Sequence, residues 1–272
     1  MRKGLLIRIF GLVSLSQNLK RIVMRMWYQN MGRFDKDSQI TFMNYGYANS
    51  NAGKIKLKSA DEKDRYCIQL YNHVAGSLDV KGLEVLEVGC GRGGGSSYIA
   101  RYLKPKSVNG VDFSKMAIDF CKRNYSTKGL SFSFEDAESF TIQNEKFDVV
   151  VNIESSHCYR NMKLFLHEVF RVLKPNGYFL FADFRGKGDI NSLNSYLQNS
   201  GLKLLMKKKI TKNVLKALDL DSNRKVELIK KKVPKMLHKT FLQFAGVKGT
   251  EIYESFRTGE REYFSFVLQK IK

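Results

Sequence analysis

The sequence predicts an α/β fold: a Rossmann-like, doubly wound sheet of seven strands, closed by an antiparallel C-terminal hairpin. Two observations carry this. From residue 83 to residue 182, short apolar runs alternate with segments of helical period, which is the rhythm of strand–helix–strand units building a parallel sheet. The first of those runs ends in a cluster of glycines, Gly89, Gly91, Gly93, Gly94 and Gly95, and a glycine-rich turn between a strand and a helix marks the nucleotide-binding end of such a sheet. An N-terminal helical lid and a helical insertion after the fifth strand complete the expected architecture.

Leu83–Val88 is a short apolar run of the kind found in a buried parallel strand. Ser96–Leu103 reads as a helix and Ser107–Val111 as the second strand. Ser114 is an N-cap type of residue and opens a helix to about Tyr125. Leu130–Phe134 and Phe147–Ile153 are the third and fourth strands. Met162–Leu173 is helical, with Leu164, Phe165, Val169 and Val172 on one face. The turn Lys174-Pro175-Asn176-Gly177 stops it, and Tyr178–Ala182 is the fifth strand. From Asp189 to about Lys239 the rhythm breaks into a basic, helical stretch. Val247–Phe256 and Glu262–Lys270 flank a Gly259-containing turn and read as the closing hairpin. The implied organisation is an N-terminal helix and lid over 1–60, a cofactor-binding core over 61–188, a basic cap over 189–240, and strands completing the core over 241–272.

The composition is that of a globular chain, without Pro-rich or Gly/Ser-rich linkers. The cysteines Cys67, Cys90, Cys121 and Cys158 form no C-x-x-C pair, so neither a metal site nor a disulfide framework is expected, and a reducing, cytoplasmic compartment is. With 47 Lys+Arg against 26 Asp+Glu, the formal charge is +21. The excess concentrates in residues 1–34, which lack acids, and in 201–250, which holds Lys207-Lys208-Lys209 and Lys230-Lys231-Lys232. Such patches attract anionic partners or simply solvate a surface. Met1–Ser16 lacks the roughly 20 apolar residues of a membrane span and the cleavage site of a signal peptide. It reads as an amphipathic helix packed on the domain; peripheral contact with an anionic membrane through this basic helix and the basic cap over 189–240, and an organelle transit peptide, are the other readings.

The central motif is Val85-Leu86-Glu87-Val88-Gly89-Cys90-Gly91-Arg92-Gly93. Its glycines allow a tight turn and a close approach of backbone to ligand. Glu87 is awkward beside a pyrophosphate but suits a cationic methionyl end. Asp112, followed by Phe113, ends the second strand, where an acidic residue accepts ribose hydroxyls. Asp136-Ala137 follows the third strand and suits an adenine amino group, and Asn152-Ile153-Glu154 closes the fourth strand at the same crevice. These positions favour S-adenosylmethionine over a nicotinamide dinucleotide. Gly89, Cys90, Gly91 and Gly93 supply the loop, while Tyr28 and Tyr45 are placed at the entrance.

On these residues the chain resembles the class I methyltransferases, through Glu87-x-Gly89-x-Gly91-x-Gly93, Asp112, Asp136-Ala137 and Leu173-Lys174-Pro175-Asn176-Gly177. More narrowly, Phe42-x-Asn44-Tyr45-Gly46-Tyr47, Gly91-Arg92-Gly93-Gly94-Gly95, Glu154-Ser155-Ser156-His157-Cys158-Tyr159 and Ala182-Asp183-Phe184-Arg185 resemble the phthiotriolone/phenolphthiotriolone dimycocerosate methyltransferases. The resemblance implies O-methylation of a hydroxyl on a lipid or polyketide-like acceptor. Two departures are Asn176, where the family has a second glycine, and a more Lys-rich 201–240 region.

Methyl transfer from a sulfonium is an in-line displacement, and an alcohol nucleophile profits from a base that removes its proton. His157, just beyond the fourth strand, is the candidate base, and Asp183, at the end of the fifth, is placed to orient its ring. This pairing resembles the His–Asp arrangement of related O-methyltransferases. N-methylation of a small amine and a non-catalytic membrane-surface role are the alternatives. Nucleic-acid methylation is disfavoured, because Asn152-Ile153-Glu154-Ser155 lacks the prolines of the base-amine enzymes.

Overall fold

A computed structural model describes residues 35, 40–49 and 55–271. The helix expected in residues 1–34, and Tyr28 with it, lies outside the described residues. Seven strands, β1 (Glu84–Val88), β2 (Ser107–Asp112), β3 (Leu130–Phe134), β4 (Phe147–Ile153), β5 (Leu173–Gly186), β6 (Leu202–Lys209) and β7 (Arg261–Lys270), form one sheet in the order β3-β2-β1-β4-β5-β7-β6. Strands β1 to β5 are parallel to their neighbours, whereas β7 runs antiparallel between β5 and β6. The order reverses between β1 and β4, and an open sheet binds ligands at the carboxyl ends of the strands flanking such a reversal.

The central strands β1 and β4 are mostly apolar because both their faces are covered. In β1, Val85 faces one core with Ile68, Ile99 and Leu180, while Leu86 and Val88 face a second with Phe165, Val169 and Phe181. In β4, Val149 and Val151 join the first core and Val150 the second. The covering helices are α1 (Arg65–Val74), α2 (Gly94–Tyr98), α3 (Lys115–Asn124), α4 (Met162–Val172) and α5 (Ile190–Gln198). The Ser114 hydroxyl caps α3 by accepting from the Ala117 N–H at 3.3 Å. Asn161 caps α4 through the N–H groups of Lys163 and Leu164. Where a turn was expected after α4, Leu173 already pairs with Phe147, and the next partners are Tyr178 and Val149. Residues 174–177 therefore loop out of β5, with Asn176 at φ +64°.

The C-terminal third differs from the sequence expectation at two elements. The hairpin strand expected at Val247–Phe256 is instead a helix, α8 (Glu251–Arg257), after α6 (Thr211–Lys232) and α7 (His238–Phe244). Thr250 caps it by accepting from the Tyr253 N–H, and Tyr253 and Phe256, three residues apart, both turn inward. The antiparallel partner of β7 is Leu202–Lys209, a segment expected within the helical insertion. Its run Leu-Lys-Leu-Leu-Met-Lys-Lys-Lys has no alternation, so pairing with β7 rather than local pattern makes it a strand. No helix among the described residues is long and apolar enough to cross a membrane.

Candidate active site

A cavity of about 270 Å³ opens where the strand order reverses, at the carboxyl ends of β1, β2 and β4. Gly89, Cys90 and Gly91 form its floor, and Asp112, Phe113, Asp136 and Ala137 one side. Ile153 and Glu154 form another side, and Thr41 to Asn44 lie across it. Glycine is required in the floor: Gly89 has φ +76°, and a Cβ there would stand 2.3 Å from the Ser155 hydroxyl oxygen. Asp112 organises the loop, accepting from the Gly91 N–H at 2.9 Å with one oxygen and from the Ser114 N–H at 2.8 Å with the other. Burial pushes its carboxyl up, against the pull of those backbone donors.

Six of the residues named from the sequence stand behind this wall rather than in it. Glu87 is 1% exposed, and its carboxylate accepts from the hydroxyls of Tyr71, at 2.6 Å, and Ser96. Burial pushes it up to about 6, with both hydroxyls resisting. Its partner Tyr71 does line the cavity. Gly93 starts α2 in a left-handed conformation and packs against Cys121, Tyr125 and Phe132. Asn152 braces the floor, donating to the Val88 carbonyl at 2.9 Å and to the hydroxyls of Ser155 and Tyr159. Tyr45 packs its ring on Phe184 and Phe256 while its N–H donates to Glu154 at 2.9 Å. His157 and Asp183 stand beside the cavity, in the turn after Glu154 and at the end of β5.

Those two are joined. His157 Nδ1 lies 2.9 Å from Asp183 Oδ1, and the ring rests on Phe184 at 4.4 Å between centroids. The fully buried Asp183 also accepts from the His157 N–H at 2.9 Å, the Ser156 hydroxyl at 2.6 Å and the Phe184 N–H at 2.8 Å, with the Arg185 guanidinium 3.1 Å away. Burial opposes its charge, but His157 and Arg185 hold its carboxyl well below the usual range. For His157 burial works against the charged ring, yet Cys158 and Asp183 outweigh it and hold the imidazole well above 6.5.

Glu154 is the other unusual carboxyl. It adopts φ +49°, a strained conformation for a residue with a side chain. Its Oε1 accepts from the Tyr45 N–H and from the Tyr263 hydroxyl at 3.0 Å. Burial, opposed by the Tyr45 N–H and reinforced by Asp183, pushes its carboxyl up to about 7. Sequence reasoning missed Arg92 and Tyr71 as lining residues. Arg92 stacks on Phe120 at 3.7 Å, pairs with Asp35 at 2.8 Å, and leaves its buried Nε without an acceptor among the described residues.

The wall is therefore a backbone floor ringed by the carboxyl groups of Asp112, Asp136 and Glu154. That set of acceptors repels a pyrophosphate and accepts from hydroxyl, amino and cationic groups, so it fits S-adenosylmethionine better than a dinucleotide.

Residues 79–246 match the family model of a methyltransferase domain. The chain is 37% identical to a phthiotriol/phenolphthiotriol dimycocerosates methyltransferase of Mycobacterium tuberculosis, over 91% of this chain and 92% of the relative. It is 34% identical to a fatty-acid O-methyltransferase of Mycolicibacterium smegmatis, over 95% and 92%. Among solved structures, geranyl diphosphate C-methyltransferase from Streptomyces coelicolor, in complex with Mg2+, geranyl diphosphate and S-adenosyl-L-homocysteine, superposes with a TM-score of 0.64, covering 93% of this chain and 98% of that one. At 15% identity the last likeness shows the fold alone.

Proposed function

The chain belongs to the S-adenosylmethionine-dependent methyltransferases, the family that holds the phthiotriol and fatty-acid enzymes above, and on that premise we propose that it O-methylates a hydroxyl on a lipid or similar apolar acceptor. The names of those relatives support the acceptor class. The observation that carries the hydroxyl is the 2.9 Å link between His157 and Asp183 beside the cavity.

In this reading Asp112 holds the ribose hydroxyls, Asp136 and Ala137 the adenine, and Glu154 and the backbone of Gly89–Gly91 the methionyl end. Glu87 acts one layer back, through Tyr71. When bound, S-adenosylmethionine supplies a methyl group activated as a sulfonium. The protein's work is alignment and proton removal. Asp183, which can only accept, fixes the Nδ1–H tautomer of His157, and the remaining nitrogen takes the acceptor's hydroxyl proton as the oxygen is alkylated. Asp183, itself kept ionised by Arg185, then keeps the imidazolium paired within the buried turn.

Replacing the base tests this. His157→Ala should lower kcat by roughly 10²- to 10⁴-fold, the usual worth of a general base, while calorimetric affinity for S-adenosylhomocysteine stays close to that of the parent. Unchanged turnover of the true acceptor would remove His157 from the mechanism.

A further inference from the structure

The free edge of the sheet carries a surface that methyl transfer does not use. Among the described residues, strand β6 pairs only with β7, and every side chain from Lys203 to Lys209 is exposed. Leu204 pairs with Leu268 and Met206 with Val267, so Leu205 is an extra residue between them. A bulge of this kind bends an edge strand and turns its side chains outward. The result is three consecutive exposed apolar side chains, Leu204 at 42%, Leu205 at 46% and Met206 at 36%. Four lysines flank them, Lys203 on one side and Lys207, Lys208 and Lys209 on the other. Among the described residues, only Lys209 of these four has an acidic partner, Glu262, whereas Lys207 reaches the neutral Asn194.

We propose that this bulged edge is a docking strip for an anionic lipid bilayer, with Leu204, Leu205 and Met206 entering the headgroup region and the lysines pairing with lipid phosphates. The two halves of the strip select this occupant together. Lysine side chains lay their apolar stems along a membrane surface while the ammonium meets the headgroups. Exposed apolar side chains between them add burial that a purely electrostatic contact lacks. A polyanion such as RNA would have no use for Leu204, Leu205 and Met206. A second copy of the chain, added edge to edge, would set lysines against lysines. The strip does not depend on the catalytic reading.

The test uses the full chain and sucrose-loaded vesicles, either phosphatidylcholine alone or an equal mixture with phosphatidylglycerol. The unmodified chain should sediment with the mixed vesicles, release with salt, and stay in solution with phosphatidylcholine. Lys203→Glu/Lys207→Glu/Lys208→Glu should weaken partitioning by at least roughly a hundredfold, about fivefold for each lysine removed. Leu204→Ser/Leu205→Ser/Met206→Ser should weaken it without changing the salt dependence, and Leu205→Ser alone should do so in part. Unaltered melting temperature and S-adenosylhomocysteine affinity establish that each variant is folded. Sedimentation of both variants like the parent, or none by the parent, overturns the proposal. So does a parent dimer in light scattering that the same substitutions dissolve, since the strip would then bind a second copy.

Discussion

Two titratable residues at the cavity set pH dependences of the same sign. His157 is held above the ordinary imidazole value, so it loses the proton it must shed before acting as a base at a higher pH than a free imidazole does. The turnover rate should therefore rise with pH through that raised value. Asp183→Asn should move the rise to lower pH and reduce the plateau, because the ring loses both its charge partner and its fixed tautomer. A pH–rate profile of the two proteins checks this. Glu154, pushed up to about 7, is neutral below that value and anionic above it. An anion there favours the sulfonium cofactor over its neutral product. The ratio of S-adenosylmethionine to S-adenosylhomocysteine affinity should grow as pH rises through about 7, and Glu154→Gln should flatten it. The positions of Asp112, Asp136 and Glu154 were legible in the sequence because each follows an apolar strand that must end at the crevice. The strain at Glu154 and the retreat of Glu87 behind Tyr71 were not. Both depend on contacts from distant segments, Tyr45, Tyr263 and helix α1.

At the scale of elements, the capped helices and the parallel strands follow from local chemistry, and the glycine floor is the least tolerant of them. Gly89→Ala must adopt φ +76° with its Cβ 2.3 Å from the Ser155 oxygen. It should abolish detectable cofactor binding by calorimetry while far-ultraviolet circular dichroism stays near that of the parent. Thr250→Ala removes the cap of α8 and should cost about 1 kcal/mol, seen as a melting temperature lower by roughly 2–4 °C. That helix was read as a strand because of its aromatic residues and the Gly259-containing turn that follows it, whereas the burial of Tyr253 and Phe256, three residues apart, follows the helical period. The strand at Leu202–Lys209 shows the reverse failure. Nothing in its composition separates it from a basic helix, and only the hydrogen bonds offered by β7 decide.

At the scale of the whole molecule, strand order places the accepting carboxyl groups at one reversal of the sheet, and the chain between residues 40 and 49 closes over them. The lid ties to the core through the Glu154 carboxylate, the Thr41 carbonyl bonded to the Gly94 N–H at 3.2 Å, and the Asp35–Arg92 pair. A ligand that binds only this closed form should stabilise the entire fold, by about 2.7 kcal/mol at a hundred times its dissociation constant, measurable as a melting shift with S-adenosylhomocysteine. Methyl transfer to a hydroxyl of an apolar acceptor can be read from one experiment: incubation of the protein with a methyl-labelled donor and a lipid extract, followed by treatment of the labelled product with base. A label that persists as an ether is the predicted result. A label released by base as a carboxyl ester, or one found only in nucleic acid or on an amine, would contradict it.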